Sequence, residues 1–135
     1  MKKCGKNCGI CPLVKEGRFL KGKNFKWNIS KSVNCDTFHC IYLIECNIDR
    51  CRQKYIGETD RKLKTRILEH KRYITNNIIN KTTGYHFNLS VNNISNFTVT
   101  ILEKVEKYDE QYRKQREKYF IKKLNTYYKG LNRMP

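Results

Sequence analysis

The run CIYLIEC, residues 40–46, is apolar at successive positions rather than at every second one. A strand with apolar residues on both faces is buried on both and lies at the centre of its sheet. Alternation puts Ile41 and Leu43 on one face and Tyr42 and Ile44 on the other. Residues 47–50 are polar and predict a turn, from which residues 51–58 return as a second strand. There Tyr55 shares a face with Gln53 and Gly57 while Ile56 points the other way, and an antiparallel hairpin can set Tyr42 and Tyr55 on one common face. The period then lengthens. Leu63, Ile67 and Ile74 form the stripe of a helix running to about residue 73, with Thr59 or Asp60 as its N-cap. Residues 75–95 are loop-like and rich in Asn and Thr, with a short helix around Tyr85-His86-Phe87. NFTVTILEKV, residues 96–105, alternates and is β-branched, which predicts a third strand. Residues 108–125 predict a second helix, with Phe120, Ile121 and Leu124 as its stripe. Ahead of all this, residues 1–34 are irregular and basic, with GKNFKWNIS as one short strand.

Three ionisable residues interrupt the apolar faces. His70 falls in the middle of the first helical stripe, Arg66 on its shoulder, and Glu117 at the centre of the second. Each alone has an ordinary reading. A histidine on an apolar face is usually a satisfied core residue, a shoulder arginine snorkels, and a lone glutamate marks a wheel read one position off. Together they supply a cation, a tunable base and an oxygen ligand, beside two tyrosines on one sheet face. Burying such charges without partners costs several kcal/mol, of order. Their combination is what phosphodiester hydrolysis requires: a carboxylate for a hard divalent cation, an arginine for phosphate charge, and a phenol or imidazole to take a proton from water.

Charge and cysteines add a partner and a metal. Lys and Arg number 29 against 12 Asp and Glu, a formal charge of +17. So much positive charge opposes compaction unless a polyanion neutralises it, and nucleic acid fits better than a membrane surface. No basic helix carries Trp or Phe along one face as an interfacial helix does. No apolar run is long enough to span a bilayer and none follows the basic start, so the expectation is an intracellular protein. Seven cysteines without a secretory signal predict metal ligation rather than disulfides. Cys4, Cys8 and Cys11 have the spacing of a zinc knuckle, and Cys35 is the natural fourth ligand. Cys46 and Cys51, flanking the hairpin tip, are the competing pair. Cys40 reads as a buried thiol. The N-terminal segment has too few apolar residues to pack alone, a second reason to expect a metal there.

CIY at 40–42, YIG at 55–57 and RKLKTRILEH at 61–70 resemble the GIY-YIG endonucleases. The chain is most similar to the endonuclease domain of Penelope-like retroelements, through CGKNCGICP, the cysteines around CIYLIEC and Cys51, GYHF at 84–87, QREKYFIKKL at 115–124 and GLN at 130–132. The resemblance implies an α+β fold, a small three-stranded antiparallel sheet flanked by helices. It makes Tyr42 and Tyr55 the active-site tyrosines, Arg66 the catalytic arginine, His70 its histidine partner and Glu117 the ligand of one Mg²⁺ or Mn²⁺ ion. Asn132 matches an asparagine near the end of the fold, and Gly57 is assigned a close turn into the helix. The implied reaction is hydrolysis of DNA at phosphorus, leaving a 5′-phosphate and a 3′-hydroxyl, with Tyr42 and His70 relaying a proton from water. The implied setting is a retroelement, with a reverse transcriptase as fusion or working partner and the nucleus of a eukaryotic host as location. Cys40 stands in place of the motif's glycine, the hairpin tip is two residues longer than the usual Cys-x2-Cys, Leu89 and Ser90 stand where a second histidine often follows, and Tyr128-Lys129 replaces the usual proline. None of these departures removes a catalytic group.

The expected organisation is a cysteine-rich zinc-knuckle segment, residues 1–36, and a nuclease core, residues 37–135. The alternative is a zinc-stabilised nucleic-acid-binding module without turnover, and a disulfide-rich secreted basic protein fits less well.

Overall fold

The computed structural model describes residues 1–22, 25–46, 54–75, 97–105 and 109–124. In chain order it contains a 3-10 turn, Cys11–Leu13, strands β1 (Phe19–Gly22), β2 (Phe25–Asn28), β3 (Cys40–Cys46) and β4 (Lys54–Thr59), helix α1 (Leu63–Thr75), strand β5 (Phe97–Lys104) and helix α2 (Glu110–Leu124). The doubly apolar run forms the middle strand of an antiparallel sheet ordered β4-β3-β5. Ile41, Tyr42, Leu43 and Ile44 are all buried, as a strand covered on both faces requires.

Register fixes what each face carries. Tyr42 pairs with Gly57 and Ile44 with Tyr55, while Ile41 pairs with Glu58 and Leu43 with Ile56. The two tyrosines thus share a face, and Glu58 lies on the other. Helix α1 serves the tyrosine face: its stripe Leu63, Ile67 and His70 is buried, and His70 packs edge-on against both tyrosine rings. Helix α2 serves the other face. It buries Phe120, Ile121 and, unexpectedly, Arg113. Arg113 Nε donates to Glu58 Oε2, and Arg116 bonds Glu103 of β5 at 2.9 and 3.1 Å. Fully burying each large apolar side chain in these layers contributes about 1.5–3 kcal/mol.

The N-terminal segment contains two short strands rather than one. Phe19–Gly22 pairs antiparallel with Phe25–Asn28, because Leu20 points inward opposite Trp27 while the lysines between face out. The segment does not pack by itself but lies along β5. Val14 bridges Val99, the Lys15 amide donates to the Val99 carbonyl at 3.0 Å, and the Trp27 indole donates to the Leu102 carbonyl at 2.6 Å. Ile10, Leu13, Val14, Ile29 and Val33 join the same core as the sheet.

The start of α1 also differs from expectation. The Thr59 hydroxyl accepts from the Arg61 amide at 3.1 Å, a local turn before the helix. The helix's own first amides, of Leu63 and Lys64, donate to the Thr37 and Cys35 carbonyls, each at 2.9 Å. The expected hairpin turn at 47–50, residues 51–53, the short helix near residue 86 and the GLN at 130–132 lie outside the described residues.

Candidate active site

Gly57 lies inside β4, not at a turn, which corrects the role the motif implied. Its partner Tyr42 folds back over it, so that a Cβ at Gly57 would meet Tyr42 Cζ at 2.5 Å. Real Cβ atoms do not come so close, and the neighbour is a ring with no freedom to retreat from its buried position. The glycine is therefore space for a tyrosine. With that space the Tyr42 hydroxyl reaches His70 Nε2 at 2.9 Å. The Tyr42 and Tyr55 centroids lie 6.4 Å apart, and Tyr55 and His70 5.4 Å.

Arg66 sits one helical turn before His70 and therefore on the same side of α1. Its positive charge acts on both phenols, and its guanidinium pairs with Glu69 Oε1 at 3.3 Å. Glu69 also receives Arg61, so the catalytic-type arginine is held in an ionic chain along the helix surface. Burial pushes the Tyr42 phenol well above its ordinary range, with Tyr55 adding to it and Arg66 opposing. Burial likewise raises Tyr55, opposed by Arg66 and reinforced by Glu117. Burial, then the Arg66 charge, pushes His70 down to about 3. At neutral pH the imidazole is thus uncharged, and Nε2 can accept the proton of the Tyr42 hydroxyl.

Glu117 arrives from α2, half-buried. Burial and the nearby Glu58 carboxylate push it up to about 6, and its field reaches Tyr55. A carboxylate that is disfavoured as a lone anion, next to a second carboxylate, fits a hard divalent cation with oxygen ligands. Glu117 is thus an oxygen donor of the kind a divalent cation takes. Asn132 lies outside the described residues, so its expected place beside these groups has no structural counterpart here. Arg113 and Glu58 were missed by the sequence reading. The signal was present, because Arg113 precedes Glu117 by four residues on the same helical stripe.

The cysteines form a second site. The sulfurs of Cys4, Cys8, Cys11 and Cys35 lie within 4.8 Å of one another. Cys11 Sγ is 3.6 Å from Cys4, 3.4 Å from Cys8 and 3.9 Å from Cys35. Four sulfurs tetrahedrally placed at about 2.3 Å from a zinc ion would be separated by about 3.8 Å. The spacing therefore fits zinc as found. Backbone N–H donation, chiefly from Lys6, pulls the Cys4 thiol down to about 6, toward the thiolate a metal needs. Cys46 is buried at the end of β3 outside this group, and its suggested partner Cys51 lies outside the described residues. Burial pushes the Cys40 thiol up to about 12, as for an inert core cysteine.

Comparison with known proteins agrees with this geometry. No curated protein matches the chain. Among solved structures, the catalytic domain of the homing endonuclease I-TevI is similar, at 23% identity and a TM-score of 0.58, covering 72% of this chain and 99% of that one. A mutant of the same domain, described as that of an intron endonuclease, is similar at 24% identity and a TM-score of 0.58, covering 70% and 91%. At that identity the likeness is one of fold. Residues 38–132 match the model of the GIY-YIG catalytic domain, spanning the sheet, both helices and every residue of the first site. By this match, on a β4-β3-β5 sheet with two tyrosines facing an arginine and a histidine, the chain belongs to the GIY-YIG family and carries its nuclease domain.

Proposed function

We propose that the chain is a metal-dependent DNA endonuclease in which Tyr42, Tyr55, Arg66, His70 and Glu117 form the active site. The observation that carries this reading is the 2.9 Å contact between the Tyr42 hydroxyl and His70 Nε2, with the Arg66 charge acting on both phenols. The neutral His70 accepts the Tyr42 proton as Tyr42 takes one from the attacking water. Arg66 meets the negative charge that grows on the phosphoryl oxygens. Glu117 would hold one Mg²⁺ or Mn²⁺ ion, which supplies Lewis-acid stabilisation when bound. The products are a 5′-phosphate and a 3′-hydroxyl. The charge of +17 supports a polyanionic substrate. The four clustered cysteines would hold a structural zinc ion. The cysteine pattern around the two motifs supports a retroelement setting, with a reverse transcriptase as working partner and the nucleus as location in a eukaryotic host. Among the described residues, no helix is long and apolar enough to cross a membrane.

Incubation with supercoiled plasmid tests the reading. Nicking is expected with Mg²⁺ or Mn²⁺ and not without them. Glu117→Gln should bind DNA and lose nicking on the order of 10³-fold. Parental nicking by Glu117→Gln in Mg²⁺ would refute the metal assignment. A parent chain that binds plasmid without nicking it would instead be the binding module without turnover.

A further inference from the structure

The first amides of a helix have no partner within it and are normally satisfied by a side-chain cap or water. In α1 they are satisfied by backbone from the cysteine site. The Lys64 amide donates to the carbonyl of Cys35, itself one of the four clustered cysteines, and the Leu63 amide donates to that of Thr37. The segment between is stiffened by its own bonds: the Asp36 amide donates to Asn34 Oδ1 at 2.8 Å and the Asn34 amide to Thr37 Oγ1 at 3.0 Å. Asp36 adds a side-chain tie, with Oδ1 3.0 Å from Lys64 Nζ. The other limb of the cluster also lies beside α1: a Cβ at Gly9, next to Cys8, would be at van der Waals distance, 3.4 Å, from Leu68 Cδ2.

Resting on the zinc reading above, we propose that the ion held by Cys4, Cys8, Cys11 and Cys35 is a positioning element of the active site. It anchors the Cys35–Thr37 backbone that caps α1, and so sets Arg66 and His70 against Tyr42 and Tyr55. Cys35 is separated from Cys11 by 23 intervening residues. With the ion gone, that loop keeps its packing and its hydrogen bonds to β5 but loses the cross-link at its two ends, and the carbonyls that hold the first turn of α1 lose their anchor. Arg66 lies two residues beyond Lys64, and His70 one turn further. A displacement of about 1 Å at reacting groups costs on the order of 10²-fold in rate. Binding, which comes from charge spread over the whole surface, would be spared.

The test uses the full chain loaded with zinc, its metal content read by elemental analysis. Zinc is then removed with a chelator and restored. Amide hydrogen exchange is followed at Leu63 and Lys64 and, for reference, at β3. Removal should lower protection at Leu63 and Lys64 at least tenfold while β3 stays protected, and zinc should restore it. Nicking should fall on the order of 10²-fold with DNA affinity retained. Lys64→Pro, compared with Lys64→Ala, isolates the backbone bond, since proline is tolerated in a first helical turn but has no N–H. Loaded with zinc, Lys64→Pro should nick as slowly as the stripped parent, and Lys64→Ala, which loses the Asp36 tie but keeps the amide, at least tenfold faster than Lys64→Pro. Should the stripped chain unfold throughout, this pair decides. A chain that holds no zinc, unchanged protection at Leu63 and Lys64, or equal nicking by the two variants would each overturn the proposal. A zinc-loaded parent that nicks nothing would refute the nuclease reading instead, while the exchange experiment still decides this one.

Discussion

Burial favours the uncharged form of two residues of the site, and the fold should register each at a different pH. His70 is depressed from 6.5 to about 3. The unfolded chain therefore binds the extra proton first, and the stability that neutral His70 permits is full above pH 6.5 and lost as pH falls toward 3. Glu117 has the opposite sign. It is raised from 4.5 to about 6, so its contribution is present below pH 4.5 and lost as pH rises through 6. Glu117→Gln removes only the second effect. Urea denaturation without added magnesium should show the variant more stable than the parent at pH 7, by on the order of 1–2 kcal/mol, and equal to it at pH 4. Equal stability at both pH values would mean that Glu117 ionises freely in the folded chain.

At the scale of elements, the most buried ion pair that seats α2 on the sheet is Arg113 with Glu58. Arg113 is 5% exposed, and Glu58, its partner on β4, also receives Lys114 at 3.2 Å. Removing one member strands the other in a desolvated place. Arg113→Met should cost about 3 kcal/mol in urea denaturation, and the double variant Arg113→Met with Glu58→Met should recover most of it. Additive losses in that cycle would show the pair to be independent charges. The pair also marks where sequence reading stopped. The sheet order around β3, the stripe Leu63, Ile67 and His70, and the grouping of Cys4, Cys8 and Cys11 were legible, because each follows from a period or a short spacing, and Cys35 from its place just before the first strand of the sheet. Arg113 was visible as a charge on the stripe, but its partner lies 55 residues away, on β4. The turn at Gly57 was what the resemblance implied, and the ring that needs its space is known only from register. The carbonyl cap of α1 was invisible for the same reason: backbone acceptors leave no mark in side-chain identity.

At the scale of the molecule, the N-terminal segment stands against an outer edge of the sheet. Through Val14 and Lys15 it occupies backbone groups of Val99, and Trp27 occupies the Leu102 carbonyl. The sequence alone invites a cut at residue 36, between a cysteine-rich piece and a nuclease core. Such a cut would leave β5, with the run FTVTILEK, presenting the N–H and C=O groups that the segment now occupies. A bare, β-branched, apolar edge is a template for further strands. A chain starting at residue 37 should therefore elute as self-associated species in size-exclusion chromatography, against a single smaller species for the whole chain. The segment that looks like an accessory to the nuclease is, in this sense, its protection against polymerising with its own copies.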